Sequence, residues 1–93
     1  MKLTDEEIEQ RLANVPGWEV EEGSLAKEFV FKDFEEAFKF MAAAAVVAEE
    51  LNHHPDWSNS YKKVMVHLST HEERGITDLD FELAGKMNRL ARK

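Results

Sequence analysis

The chain has 93 residues, a length that holds one hydrophobic core and one domain, taken as residues 1–93. At 43% hydrophobic and 33% charged it is too apolar for a disordered segment, and a formal charge of −7 with no basic run argues against direct nucleic-acid binding. Zero cysteines exclude a disulfide framework and a zinc–thiolate site, and the longest uncharged run, Phe40 to Ala48, is far too short to span a bilayer, so a cytoplasmic protein is expected.

Thr4-Asp-Glu-Glu7 fits a capping box, and Ile8 and Leu12 then share one face of a short helix that stops near Pro16-Gly17. Trp18 to Glu21 and Leu25 to Phe31 read as two strands joined through Glu22-Gly23-Ser24 as a hairpin. Asp33 caps a long helix from about Phe34 to Leu51. Along it Phe34, Phe38, Met41, Ala45 and Ala48 keep helical spacing, and Ala42 to Ala45 with Val46-Val47 widen the apolar surface beyond one stripe. So wide a face on so small a chain suggests that the helix, Ala44 included, also packs on a second subunit. Tyr61 to Thr70 is read as a strand with Val64, Val66, Leu68 and Thr70 on one face. Thr77 to Asp80 matches a second capping box, opening a helix striped by Leu83, Ala84, Met87, Leu90 and Ala91, with Arg89, Arg92 and Lys93 near its end. The expected fold is α+β: an antiparallel, about four-stranded sheet with the two longer helices packed on one face, plus the short N-terminal helix.

Three of the chain's 4 histidines, His53, His54 and His71, fall in one block after Glu49. Pro55 biases His54 away from helical backbone, so the adjacent pair occupies a loop. Imidazole titrates closest to neutral pH, which suits clustered histidines to proton transfer. Three readings compete. The histidines could be surface or turn residues without a role. They could ligate a metal with Glu49 or Asp80, although neighbours in an extended loop point apart and there is no His-Glu-x-x-His helix. Acid–base chemistry needs only imidazoles in reach of a substrate and fits best. For His67 a half-exposed sheet position is the simpler reading, and for Asp80 the capping box. Trp57 and Tyr61 are either core aromatics or flank a flat heterocycle, and Ser69 and Thr70 offer polar groups beside His71.

Glu49-x-x-x-His53-His54-Pro55, then Tyr61, Ser69-Thr70-His71 and Asp80 together resemble the signature of the pterin-4a-carbinolamine dehydratase family. Pro16-Gly-Trp18, the segment from Lys27 to Phe34, Phe40-Met41 and Gly75-Ile-Thr77 are also similar to the family, so nearly the whole chain is covered. The resemblance implies removal of water from 4a-hydroxytetrahydropterin to give quinonoid dihydropterin, which recycles the cofactor of aromatic amino acid hydroxylases. It implies His53 and His71 as the acid–base residues and His54 as a catalytic-site histidine that chiefly binds substrate. Glu49 would support the histidines and polarise the pterin; Asn52, Trp57, Ser69 and Thr70 would line the pocket, and Asp80 would approach His71. No metal and no cofactor are expected. The partners implied are the pterin and further copies of the chain, as a homodimer or homotetramer. Some family members also serve as dimerisation cofactors of a transcription activator, which is the alternative function.

Overall fold

Helix α1 (Asp5–Leu12) begins where the capping box places it, in a computed structural model that describes residues 1–92. The Thr4 hydroxyl accepts the Glu7 N–H at 3.1 Å, and the Glu7 carboxylate accepts the Thr4 N–H at 2.9 Å. That backbone N–H chiefly holds the Glu7 carboxyl below its usual range. Strands β1 (Glu19–Glu21) and β2 (Ser24–Val30) form the expected hairpin. Its two turn residues, Glu22 and Gly23, have φ of 49° and 82°, the left-handed pair that matches the twist of a two-residue hairpin.

Helix α2 (Phe34–Leu51) follows, its N-terminus capped by Asp33, whose carboxylate accepts the Glu36 N–H at 2.9 Å. Strands β3 (Asp56–Ser60) and β4 (Lys63–Leu68) and helix α3 (Asp78–Ala91) complete the chain, with a short 3₁₀ turn at His71–Glu73. The sheet is antiparallel in the order β1-β2-β4-β3. Leu25 pairs with Leu68 and Phe29 with Val64, so one face carries Leu25, Phe29, Val64, Val66 and Leu68, all buried beneath α2 and α3. Each such side chain, fully buried, contributes about 1.5–3 kcal/mol. The opposite face carries Glu28, Met65 and His67 and stays half open, with His67 paired to Glu21 at 2.8 Å.

Lys27 is the polar exception on the covered face. Its ammonium donates to the Pro16 carbonyl at 3.1 Å and to Asn88 Oδ1 at 2.8 Å, and the same Asn88 oxygen accepts the Trp18 indole N–H at 2.9 Å. Burial pushes the Lys27 pKa down. This network ties β2, the Pro16-Gly17 turn and α3 together. The φ of 88° at Gly17 favours glycine in the turn, and a Cβ there would come within 2.8 Å of the Lys27 nitrogen and require that side chain to move.

Two expectations need correction, and one falls outside the structure. The segment Asp56–Ser60 is a strand of its own, paired with β4 around a turn at Tyr61-Lys62, where a single longer strand from Tyr61 was expected. Asp-Trp-Ser-Asn-Ser has little strand propensity, and its edge pairing with β4 supplies the order that propensity does not. On α2 the buried stripe is Ala37, Phe40, Ala44 and Ala48. Phe34 and Phe38 instead point outward at 48% and 57% exposure, with Ala45 and Val46 also exposed. Alanines let the helix lie close to β4 and α3, so the face with the smaller side chains goes inward. Ala44 therefore belongs to the core of its own chain and not to an outer contact face. Lys93 lies outside the described residues.

The end of α2 sets the direction of the chain that follows. Asn52 takes a left-handed conformation, φ 51° and ψ 44°. The His53 N–H bonds the Ala48 carbonyl at 3.0 Å and the Asn52 N–H bonds the Glu49 carbonyl at 3.1 Å, the paired closure of a Schellman motif. Two outcomes are expected from this geometry. Ala44→Glu should lower stability by about 3 kcal/mol or more in denaturant unfolding, whereas Val46→Glu should change it by less than about 1 kcal/mol. Asn52→Gly should be nearly neutral, and Asn52→Val should cost about 1–2 kcal/mol by forcing a branched side chain into the left-handed region.

Candidate active site

His53 leaves the Schellman turn with its ring buried, and Pro55 keeps the next stretch extended, so His53 and His54 diverge. The His53 ring turns inward to the first turn of α3, where its Nε2 lies 2.5 Å from Asp80 Oδ1. His54 stays exposed, its Nε2 2.6 Å from Glu49 Oε2 in the last turn of α2. The expected divergence of the two rings is what the loop produces.

Asp80 is fully buried. Its Oδ2 accepts the Thr77 backbone N–H at 2.8 Å and the Thr70 hydroxyl at 3.0 Å. The Thr70 and Thr77 hydroxyl oxygens are 2.8 Å apart. A hydroxyl has one proton, and that of Thr70 goes to Asp80, so Thr77 donates to Thr70. Both bonds to Oδ2 are thus donated to the carboxyl group, and an ionised Asp80 is fully satisfied when His53 carries its proton on Nε2. Among the described residues no buried polar side-chain atom lacks a partner, and Nδ1 of His53 makes no bond within the protein. That nitrogen therefore keeps some contact with solvent, although the ring as a whole is buried. The arrangement is a carboxylate-oriented imidazole with its other nitrogen available for proton exchange.

Of the remaining candidates, Thr70 bonds Asp80 directly. Thr70 follows the end of β4 and is held there by an isolated bridge to Gly75. His71, the next residue, opens the 3₁₀ turn with an exposed ring. Ser69 is half-buried between Leu68 and Thr70, and Trp57 in β3 packs against the core beside Val66. Asn52 acts through its backbone conformation. Asp80, the third residue of α3, bonds His53, and among the described residues no bond joins it to His71. Thr77 was readable from the sequence only as a cap. Its place in the hydroxyl chain depends on Thr70, seven residues earlier, being folded back by the Gly75 bridge.

Among the described residues no group of three or more His, Cys, Asp or Glu could hold a metal ion, and no helix is long and apolar enough to cross a membrane. Two clefts lie elsewhere. One of about 480 Å³ sits between the start of α2 and the end of α3, and one of about 450 Å³ between α1 and the middle of α3.

The family model for pterin 4 alpha carbinolamine dehydratase matches residues 1–90. A relative from Bradyrhizobium diazoefficiens, provisionally named a pterin-4-alpha-carbinolamine dehydratase, is 52% identical over 98% of this chain and 93% of its own. Another of that provisional name, from Prochlorococcus marinus, is 46% identical over 98% of this chain and 95% of its own. A solved structure of a transcriptional coactivator/pterin dehydratase from Brucella melitensis superposes with a TM-score of 0.96 at 45% identity, covering 98% of this chain and 99% of that one. With its α+β fold and its full-length match, the chain belongs to the pterin 4 alpha carbinolamine dehydratase family.

Proposed function

We propose that this chain is a hydro-lyase that removes water from a 4a-hydroxytetrahydropterin to give the quinonoid dihydropterin. In that role it carries out one step in recycling the pterin cofactor of aromatic amino acid hydroxylases, and a separate two-electron reduction restores the tetrahydropterin. The observation that carries this reading is the buried Asp80 carboxyl group, held by Thr70 and Thr77, orienting the His53 ring through its Nε2. Hydroxide leaves poorly, so the 4a oxygen must gain a proton as its bond to carbon breaks. A ring N–H must lose a proton so that the new double bond forms. One proton is given and one taken, and water departs, so two imidazoles close the cycle without a net change in charge. His53 and His71 are the proposed pair, and each contributes about 10²–10⁴-fold. His54, paired with Glu49 at the surface, is proposed to bind the pterin, with Trp57, Ser69 and Thr70 beside it. Asp80 acts through His53 as a positioning residue.

Stopped-flow dehydration of 4a-hydroxytetrahydropterin tests this. His53→Ala and His71→Ala should each lower kcat at least about tenfold, and the double variant should approach the uncatalysed rate. His54→Ala should raise KM more than it lowers kcat. Asp80→Asn places an amide among donors and should both lower kcat and alter the pH profile that His53 imposes, a change that a purely structural role would not produce. Full activity in a folded double variant would eliminate the mechanism.

The outer face of α2 supports a second proposal, a closed symmetric homo-oligomer of dimer or tetramer size. Phe34, Phe38 and Val46 are each about half exposed along one side of the helix, an apolar surface of the kind that subunits cover. A protein partner of the transcriptional kind, suggested by the description of the Brucella melitensis protein, could use the same face. Sedimentation at micromolar concentration should show an oligomer that Phe38→Glu splits while dehydration persists. A clean wild-type monomer would leave the face to a different partner.

A further inference from the structure

Away from the histidines, three basic side chains converge on the cleft of about 450 Å³ between the end of α1 and the middle of α3. On a chain of formal charge −7 this is a local reversal of sign. Arg11 enters from α1, and Lys86 and Arg89 from α3, with Glu82 as the opposing charge in the lining. Arg11 forms an ion pair with Asp78 through Nε at 3.2 Å, which leaves its two terminal nitrogens uncommitted among the described residues. Glu82 stands one turn before Lys86, the favourable order for an ion pair along a helix. Yet among the described residues neither Lys86 nor Arg89 has a carboxylate within 4.0 Å.

The floor of the cleft is apolar, made by the buried Val15 and Phe81. Its wall is opened by Gly85, in the interior of α3, where glycine weakens a helix. A Cβ at Gly85 would meet only Val15 Cγ1, at 4.0 Å. Packing within the chain therefore does not require glycine there, and the space beside the helix backbone belongs to the cleft. The volume lies in the range of small-molecule sites, which combine an apolar lining with a few placed polar groups.

We propose that this cleft binds a small organic anion. Its apolar or aromatic body rests on Val15 and Phe81 against Gly85, and its carboxylate or phosphate is held by Arg11, Lys86 and Arg89. The site is independent of the dehydration chemistry.

The test is an amide chemical-shift titration of the full chain with phenyl phosphate, benzoate, inorganic phosphate and benzyl alcohol. The aromatic anions should give saturable shifts at Gly85 and Val15 with Kd below about 1 mM, and the other two probes should bind at least about tenfold more weakly. The ratio of phenyl phosphate to benzoate affinity identifies which anion the cleft prefers. Arg89→Glu should weaken the aromatic anions by at least about tenfold while dehydration is unchanged. Gly85→Ala should keep or raise Tm and weaken binding. Absence of saturation at Gly85 up to about 10 mM, or equal affinity in Arg89→Glu, would overturn the proposal. Inorganic phosphate binding as tightly as phenyl phosphate would overturn the role of the apolar floor, and a lower Tm in Gly85→Ala would assign the glycine to packing.

Discussion

A carboxylate with no solvent exposure is the constraint around which this fold closes. Burying an unpaired charge costs several kcal/mol, and Asp80 avoids that cost only because three separated segments bring donors to it. Thr77 supplies a backbone N–H from the start of α3, Thr70 a hydroxyl from beyond β4, and His53 a ring N–H from the turn after α2. None of the three can shift by much without stranding the charge. The carboxylate therefore sets the register of α2, β4 and α3 at one end of the sheet and orients the imidazole proposed to exchange protons. Because one group does both, the loss of activity in an Asp80 variant means little until folding and pH dependence are read separately.

Much of this was legible in the sequence because local chemistry decided it. The capping box at Thr4, the Glu22-Gly23 turn, the Asp33 cap and the bounds Phe34–Leu51 each follow from residues within a few positions of one another. What was not legible required partners far along the chain. Strand β3 exists because β4 offers it a paired edge, and its own Asp-Trp-Ser-Asn-Ser does not announce a strand. The partner of Asp80 could not be chosen by spacing, since His71 is nearer in sequence than His53; the path of the chain out of α2 decides it. The family signature located the candidate site residues as a set but not the bonds among them.

Helix α2 shows a subtler limit. Its middle stretch, Phe40 to Ala48, carries no charge, so periodicity alone does not choose the inner face there. Size breaks the tie. Ala37, Ala44 and Ala48 permit close approach to β4 and α3, with Phe40 filling the remaining space against Phe29 and Phe31 at ring separations of 4.7 and 5.0 Å. Phe34 and Phe38, on the other side, stack on each other at 6.0 Å. Under the proposed assembly it is this exposed pair, and not the buried alanine face, that a second copy would cover.

The two adjacent histidines divide rigidity between them, and this bears on how so small a fold could hold a reaction. His53 is locked by the Schellman turn behind it and the carboxylate before it. His54 has a side chain 55% exposed, held to the outside by Glu49, itself 77% exposed. A surface pair of that kind contributes little to stability and rearranges easily. A buried pair in a low-dielectric setting does neither. Under the proposed chemistry these are the properties each position needs. The proton-exchanging ring must be in place before substrate arrives, because any reorganisation would add to the barrier. The binding ring must be free to close on a substrate that enters from solvent. The Asn52 conformation makes both possible at once, because a left-handed residue at the helix end turns one histidine inward and Pro55 keeps its neighbour out.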